Sequence, residues 1–343
     1  MQQPQNQRKI KIISTGKYLP KKKVTAAELG KTIGVSAEWI EKKSGVLVRH
    51  FVDGETASLM GAFAAKNALE EAGLSIQDID CIVSTSGIPE QAIPCNAALI
   101  QEQLGATNLG IPAFDINSTC LSFITGLDTI SYLVVAGRYK RVLLVATEVS
   151  SHGINWKDKE SSTLFGDGAA AVIITQSDDG KHNNNAPQSS SHIINSCIET
   201  YSKGAHMTEC IGGGNKYHPR EYGKNPEKFL FRMDGRAVFR LSSQILPGFV
   251  ERLLAPTGLK IADLKMVIPH QASLMAVRLL SKQLGIPPEK VMIIAHNHGN
   301  AVAASVPMAL HEAIAQCKIK RGDKIMLLGT SAGFSVGGII LEY

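Results

Sequence analysis

Short apolar runs, partly β-branched and bounded by Gly, Pro, Asp or Asn, recur along the chain. They are Ile82–Thr85, Ala113–Ile116, Val142–Thr147, Met266–Ile268, Val291–Ala295 and Ile325–Leu328. Longer stretches between them carry helix-like patterns, among them Ala57–Ala72, Leu121–Ala136 and Ser305–Gln316. Continuously apolar strands alternating with helices predict an α/β architecture in which helices cover buried sheets.

The pattern repeats itself. GLSIQDIDCIV from Gly73 and GLKIADLKMVI from Gly258 share Gly, Leu, Ile and Asp at matching places. Each leads to a helix ending in Gln-Leu-Gly, at Gln103–Gly105 and Gln283–Gly285, then to a strand, a polar loop and another helix. Cys120 lies fifteen residues beyond Gly105, and Asn300 fifteen beyond Gly285. The unit is too long for a solenoid repeat, so the chain reads as a duplication, residues 1–178 and 179–343. The polar segment Gln176–His192, with neither helical nor strand period, is expected to connect the halves over the surface.

Composition narrows the picture. At 343 residues and 44% hydrophobic, the chain can bury a large core or two moderate ones. Its polar, basic start lacks the apolar run of a secretory signal, and no eighteen-residue apolar stretch suggests a membrane span. Six scattered cysteines without a C-x-x-C pair fit reduced thiols, and a cytoplasmic location is expected. A net charge of +6 admits acidic partners. With 6% aromatics and no recognition motif, nucleic acid is not favoured over an acidic carrier protein or a phosphorylated thioester.

Three residues stand where chemistry is expected. Cys120 follows a short strand and a polar turn at the start of a helix of about sixteen residues, where free N–H groups and the helix dipole favour a thiolate. A free cysteine is also commonly a small buried hydrophobe, and position alone does not decide between the two. His270 ends a strand in IPHQAS, and Asn300 sits beside Gly299 in AHNHGNAVAASVP. Alone, the first reads as a structural histidine and the second as turn chemistry. The repeat places Cys120 and Asn300 at equivalent strand–helix junctions. His296 and His298 lack a third ligand, so no metal is assigned. G-x-S-x-G, a strand-borne G-x-G-x-x-G and a P-loop ending are absent, so neither a serine hydrolase nor a nucleotide cofactor is expected. The glycine-rich stretch Gly212–Lys228 reads as an active-site flap or surface loop.

Taken together, SAEWIEKKSGVLVRH, DINSTCLSF, TLFGDGAAAVII, FRMDGRAVFR, IPHQAS, NHGNAVAASVP and GTSAGFSVGGIILEY run nearly end to end in an order that resembles ketoacyl-ACP synthase III, of the thiolase superfamily. The resemblance implies a duplicated five-layer α-β-α-β-α fold, a homodimer, and no cofactor beyond coenzyme A thioesters as substrates. It implies Cys120 as nucleophile with His270 and Asn300, and backbone N–H groups of Cys120 and of Ala332 or Gly333 for the oxyanion. Trp39, Lys43 and Lys159 fall where the family holds the coenzyme A nucleotide, and Arg236, Phe239 and Arg240 flank the pantetheine tunnel. Ile93 lies in the loop Ser86–Pro94, implied to reach the partner's acyl pocket. Ser273 replaces the usual Asn of PHQAN, and Met275 replaces a carrier-docking Arg.

The expected reaction is acylation of Cys120 by an acyl-CoA, then decarboxylative condensation with a malonyl thioester on acyl carrier protein. Three rivals remain: acyl transfer to oxygen or nitrogen, head-to-head condensation with Glu90 as base, and a non-catalytic partner subunit.

Overall fold

The computed structural model describes residues 7–177 and 191–343. The connection expected over Gln176–His192, and with it the boundary between residues 178 and 179, falls largely outside the described residues. Thirteen strands are described. They are β1 (Ile10–Tyr18), β2 (Lys22–Thr25), β3 (Val48–Phe51), β4 (Cys81–Ser84), β5 (Ala113–Asp115), β6 (Arg141–Glu148) and β7 (Gly168–Gln176). The rest are β8 (His192–Thr200), β9 (Thr208–Glu209), β10 (Arg232–Met233), β11 (Met266–Pro269), β12 (Lys324–Ser331) and β13 (Ser335–Glu342). The helices are α1 (Ala26–Ile33), α2 (Ala37–Ser44), α3 (Ala57–Ala72), α4 (Asn96–Gln103), α5 (Ser122–Val135), α6 (Gly235–Leu254), α7 (Leu274–Gln283), α8 (Ala295–His298) and α9 (Ser305–Ala315).

The duplication is visible in the sheets. One has the order β1-β7-β6-β4-β5, the other β11-β12-β13-β8. In the first, β1 and β6 flank β7 antiparallel, while β4 runs parallel to β6 and to β5. In the second, β8 and β12 flank β13 antiparallel, and β11 runs parallel to β12. The run Val291–Ala295, expected as a strand, supplies only a parallel bridge from Val291 to Val267, at the place β5 holds in the first sheet. The backbone there turns into the short α8 instead of extending along its neighbour.

Side-chain alternation makes the layers. On β6, Val142, Leu144 and Ala146 join α5 (Phe123, Ile124, Leu127) and α9 (Met308, Ala309, Leu310) in a central core, which Ile325 and Leu327 of β12 close from the other side. The intervening Leu143 and Val145 face outward, onto Met60, Ala64 and Ala68 of α3. In the second half, Met326 and Leu328 face Phe249, Val250 and Leu253 of α6. Five layers result, with α5 and α9 sandwiched between the sheets. Truncating a filler of that middle layer such as Phe123 would cost about 3–5 kcal/mol. Helix α3 is capped by Thr56 and ended by Gly73 at φ 62. It lies so close to β1 that a Cβ on Gly16 would stand 2.1 Å from Ala64 O.

Candidate active site

Two kinked junctions meet in the middle layer. After β5 the chain enters a 3₁₀ turn, Thr119–Leu121, which leads into α5. Thr119 has φ 52, a left-handed value that a β-branched residue keeps only when its surroundings hold it. Asn117 Oδ1 accepts the Thr119 N–H at 2.8 Å. Gly87 presses on the same residue, since a Cβ there would lie 3.1 Å from Thr119 C. In the second half the turn Val302–Ala304 leads into α9. Val302 has φ 43, and Asn300 Oδ1 accepts its N–H at 2.9 Å.

The likeness extends to the amide nitrogens: Asn117 Nδ2 donates to Gly87 O at 3.1 Å, and Asn300 Nδ2 to Ala272 O at 3.4 Å. Asn300 is therefore the counterpart of Asn117, and Cys120 that of Ala303. The equal count from Gly105 and Gly285 pairs the right junctions in the wrong register. Twelve residues separate Gly105 from Asn117, and fifteen separate Gly285 from Asn300, so the second copy is three residues longer before its kink.

These junctions bring the three expected residues together. Cys120 packs in a cluster with Val302 of the opposite turn and with Ile154, Leu164, Phe165, Phe231 and Met233. Asn300 bridges to Phe165 of that cluster, and its N–H donates to Leu164 O at 2.8 Å. His270 follows β11, its N–H bound to Leu328 O at 2.8 Å and its Nδ1 2.7 Å from Ser305 Oγ at the start of α9. Gly329 locks the arrangement: a Cβ there would lie 3.0 Å from Leu121 Cδ2 and 3.1 Å from His270 Cβ.

The electrostatics differ from expectation at the thiol. Burial pushes Cys120 up to about 12, with Glu148 adding to the rise. The N–H groups of Ala332 and Cys120 and the Ser331 hydroxyl oppose it without winning. Desolvation is the largest influence on this thiol, and it favours the neutral form at the turn that precedes α5. Burial alone depresses His270 to about 4, so its ring is neutral at physiological pH. Burial also raises Glu148, at the end of β6, to about 8, against N–H groups of Gly87, Ile88 and Ala303. The Cys120 N–H, expected as an oxyanion donor, gives its hydrogen to Ser331 Oγ at 3.1 Å. Ser331 in turn donates to Ser118 O at 2.7 Å. The N–H of Ala332 faces the Cys120 sulfur, and Gly333 turns the chain at φ 81.

The expected substrate residues fall into separate groups. Trp39 and Lys43 lie together on α2, with Lys43 Nζ 5.7 Å from the indole centroid. Lys43 pairs with Glu160 at 3.1 Å, and Lys159 reaches Gly34 O at 3.3 Å, so this basic corner carries an acidic neighbour. Arg236 and Phe239 occupy the first turns of α6, which Asp234 caps. Arg236 and Arg240 are exposed, whereas Phe239 is half-buried. Ser273 precedes α7 without a side-chain cap bond, next to the Ala272 carbonyl that receives Asn300. Ile93 is 84% exposed. Glu90 caps α3, its Oε2 accepting the Ser58 N–H at 2.6 Å. Of the two histidines set aside as metal ligands, His298 packs against Lys17 and Glu312, its Nε2 3.3 and 3.5 Å away from them.

Sequence reasoning passed over Glu148, Ser305, Ser331, Phe165 and Phe231. For Glu148 a signal existed: a carboxylate closing the apolar run RVLLVATE is costly unless something receives it. Phe165 and Phe231 form an edge-to-face pair at 4.8 Å beside Cys120, contacts that no local pattern encodes.

Residues 114–192 match the family described as 3-oxoacyl-[acyl-carrier-protein (ACP)] synthase III, and residues 254–343 match its C-terminal part. The chain is 35% identical to beta-ketoacyl-[acyl-carrier-protein] synthase III of Aquifex aeolicus, over 97% of this chain and 99% of that one. The chain belongs to the 3-oxoacyl-ACP synthase III family. The synthase III of Clostridium acetobutylicum is 33% identical over 97% of this chain and 98% of its own. The Aquifex aeolicus synthase III crystal structure superposes with a TM-score of 0.86 at 34% identity, covering 97% of this chain and 100% of that one. The priming β-ketosynthase of the R1128 polyketide pathway gives 0.85 at 28% identity, covering 99% and 98%. The synthase III fold thus accounts for the duplicated sheets.

Proposed function

We propose that the protein condenses an acyl group carried on Cys120 with a malonyl thioester on acyl carrier protein. The observation that carries this reading is the convergence of Cys120, His270 and Asn300 at two duplicated junctions, in a chain of this family. In the first half-reaction the Cys120 sulfur attacks the thioester of an acyl-CoA. The acyl–sulfur bond to coenzyme A breaks, and the thiol proton ends on the departing coenzyme A sulfur. The Ala332 N–H stands beside the reacting sulfur, where oxyanion charge develops. In the second, the malonyl carboxylate leaves as carbon dioxide, and the electron pair stays as an enolate. Neutral His270 and the second N–H of Asn300 Nδ2 hold its oxygen. The enolate carbon attacks the acyl carbonyl. Collapse expels the Cys120 thiolate, which takes up a proton, and releases a 3-oxoacyl product.

The head-to-head alternative loses ground because the Glu90 carboxylate is engaged at the start of α3. In the same reading, the exposed Ile93 projects toward a second copy of the chain, in a cytoplasmic homodimer. Among the described residues no helix is long and apolar enough to cross a membrane.

Intact-protein mass spectrometry with a panel of acyl-CoAs, followed by malonyl-ACP, tests the proposal. The expected result is a mass increase on the enzyme, then its loss with release of carbon dioxide and a 3-oxoacyl thioester. Product from acyl-CoA alone, or transfer to water, alcohol or amine without carbon dioxide, overturns it.

A further inference from the structure

Asn300 hangs from a strap of backbone that the first half of the chain supplies. The Asn300 N–H donates to Leu164 O at 2.8 Å, and Asn300 O accepts the Gly166 N–H at 3.2 Å. These two bonds make Phe165 and Asn300 a parallel bridge. Behind the strap stands β3, which holds it at both ends. At one end, Arg49 Nη1 donates to Thr163 O at 2.5 Å, while Nη2 reaches Val46 O at 3.2 Å. At the other, the Asp167 N–H donates to His50 O at 2.8 Å, and Asp167 Oδ2 accepts the Val52 N–H at 2.9 Å. The packing between leaves no slack: a Cβ on Gly166 would stand 2.1 Å from His298 O and 3.4 Å from Arg49 Cβ.

Arg49 is an unusual residue for such a place. It is fully buried, its Nε has no hydrogen-bond partner, and among the described residues no carboxylate pairs with it. Burial lowers it only to about 10, so it stays charged at neutral pH. A buried charge without a counterion is costly, and a methionine would fill similar space without that cost. What the charge adds is grip, because hydrogen bonds donated by a cation are stronger than neutral ones. The carbonyl it grips, Thr163 O, is one residue before the carbonyl that holds Asn300. We propose that Arg49 is a positioning residue for Asn300. It fixes Thr163, and with it the Leu164 carbonyl and Gly166 N–H that set where the Asn300 backbone, and so its side chain, stands. The proposal rests on the condensation reading above, because it places the effect in the enolate step, which uses Asn300, and not in acylation, which uses Cys120.

Arg49→Met keeps much of the volume and removes both donors, whereas Arg49→Lys keeps the charge but loses the planar fork that spans two carbonyls. Acyl-enzyme formation by mass spectrometry, with the acyl-CoA that loads wild type fastest, and carbon dioxide release from malonyl-ACP are measured separately on each variant. A thermal melt reports folding. For Arg49→Met the expected result is acylation within about threefold of wild type and condensation lowered by at least about tenfold. Arg49→Lys is expected to recover part of the lost condensation. Should Arg49→Met not fold, Arg49→Lys is read alone, and a loss confined to condensation is expected. Equal loss of both half-reactions or loss of neither overturns the proposal. Failure of both variants to fold also overturns it, because Arg49 would then hold the fold and not Asn300. A wild type that acylates but releases no carbon dioxide overturns the functional reading instead.

Discussion

His270 Nδ1 lies 2.7 Å from Ser305 Oγ, a hydroxyl that also sits 2.8 Å from Val302 O. Val302 O accepts both the backbone N–H of Ser305 and the hydroxyl hydrogen of Ser305 Oγ. Gln271 N–H, at 3.3 Å, occupies an acceptor site on the same oxygen. The contact between Ser305 Oγ and Nδ1 holds the neutral His270 ring in place. Ser305→Ala is accordingly expected to lower condensation by roughly tenfold while acylation falls less. Comparing the two half-reactions checks this, and an equal drop in both would count against a role for Ser305 in positioning His270.

Cys120 is the expected site of acylation. Cys120→Ala should abolish the mass increase seen with acyl-CoA. With the thiol raised to about 12, alkylation of Cys120 by iodoacetamide should stay slow through neutral pH and keep climbing beyond pH 9. A plateau near pH 7 would show a resting thiolate and contradict the desolvated site.

The edge-to-face pair of Phe165 and Phe231 walls the space next to Cys120. Removing one ring opens volume without touching the reacting groups. Phe231→Ala should shift the acyl-CoA preference toward longer or branched chains by about tenfold in kcat/KM. An unchanged chain-length profile would place the acyl group elsewhere.

Stability should depend on pH at both ends. His270 and His298 are both depressed to about 4, mainly by burial. The unfolded chain therefore binds protons below pH 6.5 that the folded chain refuses, and stability falls as pH drops from about 6.5 to 4. The limit is on the order of 3 kcal/mol per residue. Glu148, raised to about 8, works in the opposite sense: its protonated form is favoured in the fold, and its contribution is lost as pH rises from about 4.5 to 8. Melting curves of wild type and Glu148→Gln at pH 5 and pH 8 separate the two effects. The variant should gain on wild type at the higher pH, and a constant difference would argue that Glu148 titrates normally.

Much of the fold was readable in the apolar runs. Five of the six expected strands appear, and the expected helix Ala57–Ala72 holds over its full span. The strands β1, β7, β8 and β13 escaped notice because glycine, serine and alanine dilute them. Gly16 and the three alanines that open β7 are small because α3 or a neighbouring strand comes close, a tertiary reason. Of the site, the reactive residues were legible as residue types at strand ends and by family resemblance. Their supports were not, because Glu148, Ser305 and Ser331 act across more than thirty residues of sequence, and a register shift of three hid the pairing of Asn117 with Asn300.

The middle layer has one further consequence. No fragment that ends before the Val302–Ala304 kink can assemble the reaction centre, however well its own sheet forms, because half of the junction pair lies beyond it. A chain emerging from the ribosome therefore carries Cys120 for most of its synthesis without His270, Asn300, Ser331 or Ala332 beside it. The last of these groups to be made are Ser331, which ends β12, and Ala332, which follows it, so the surroundings of the sulfur are completed only as the final strands slot into place.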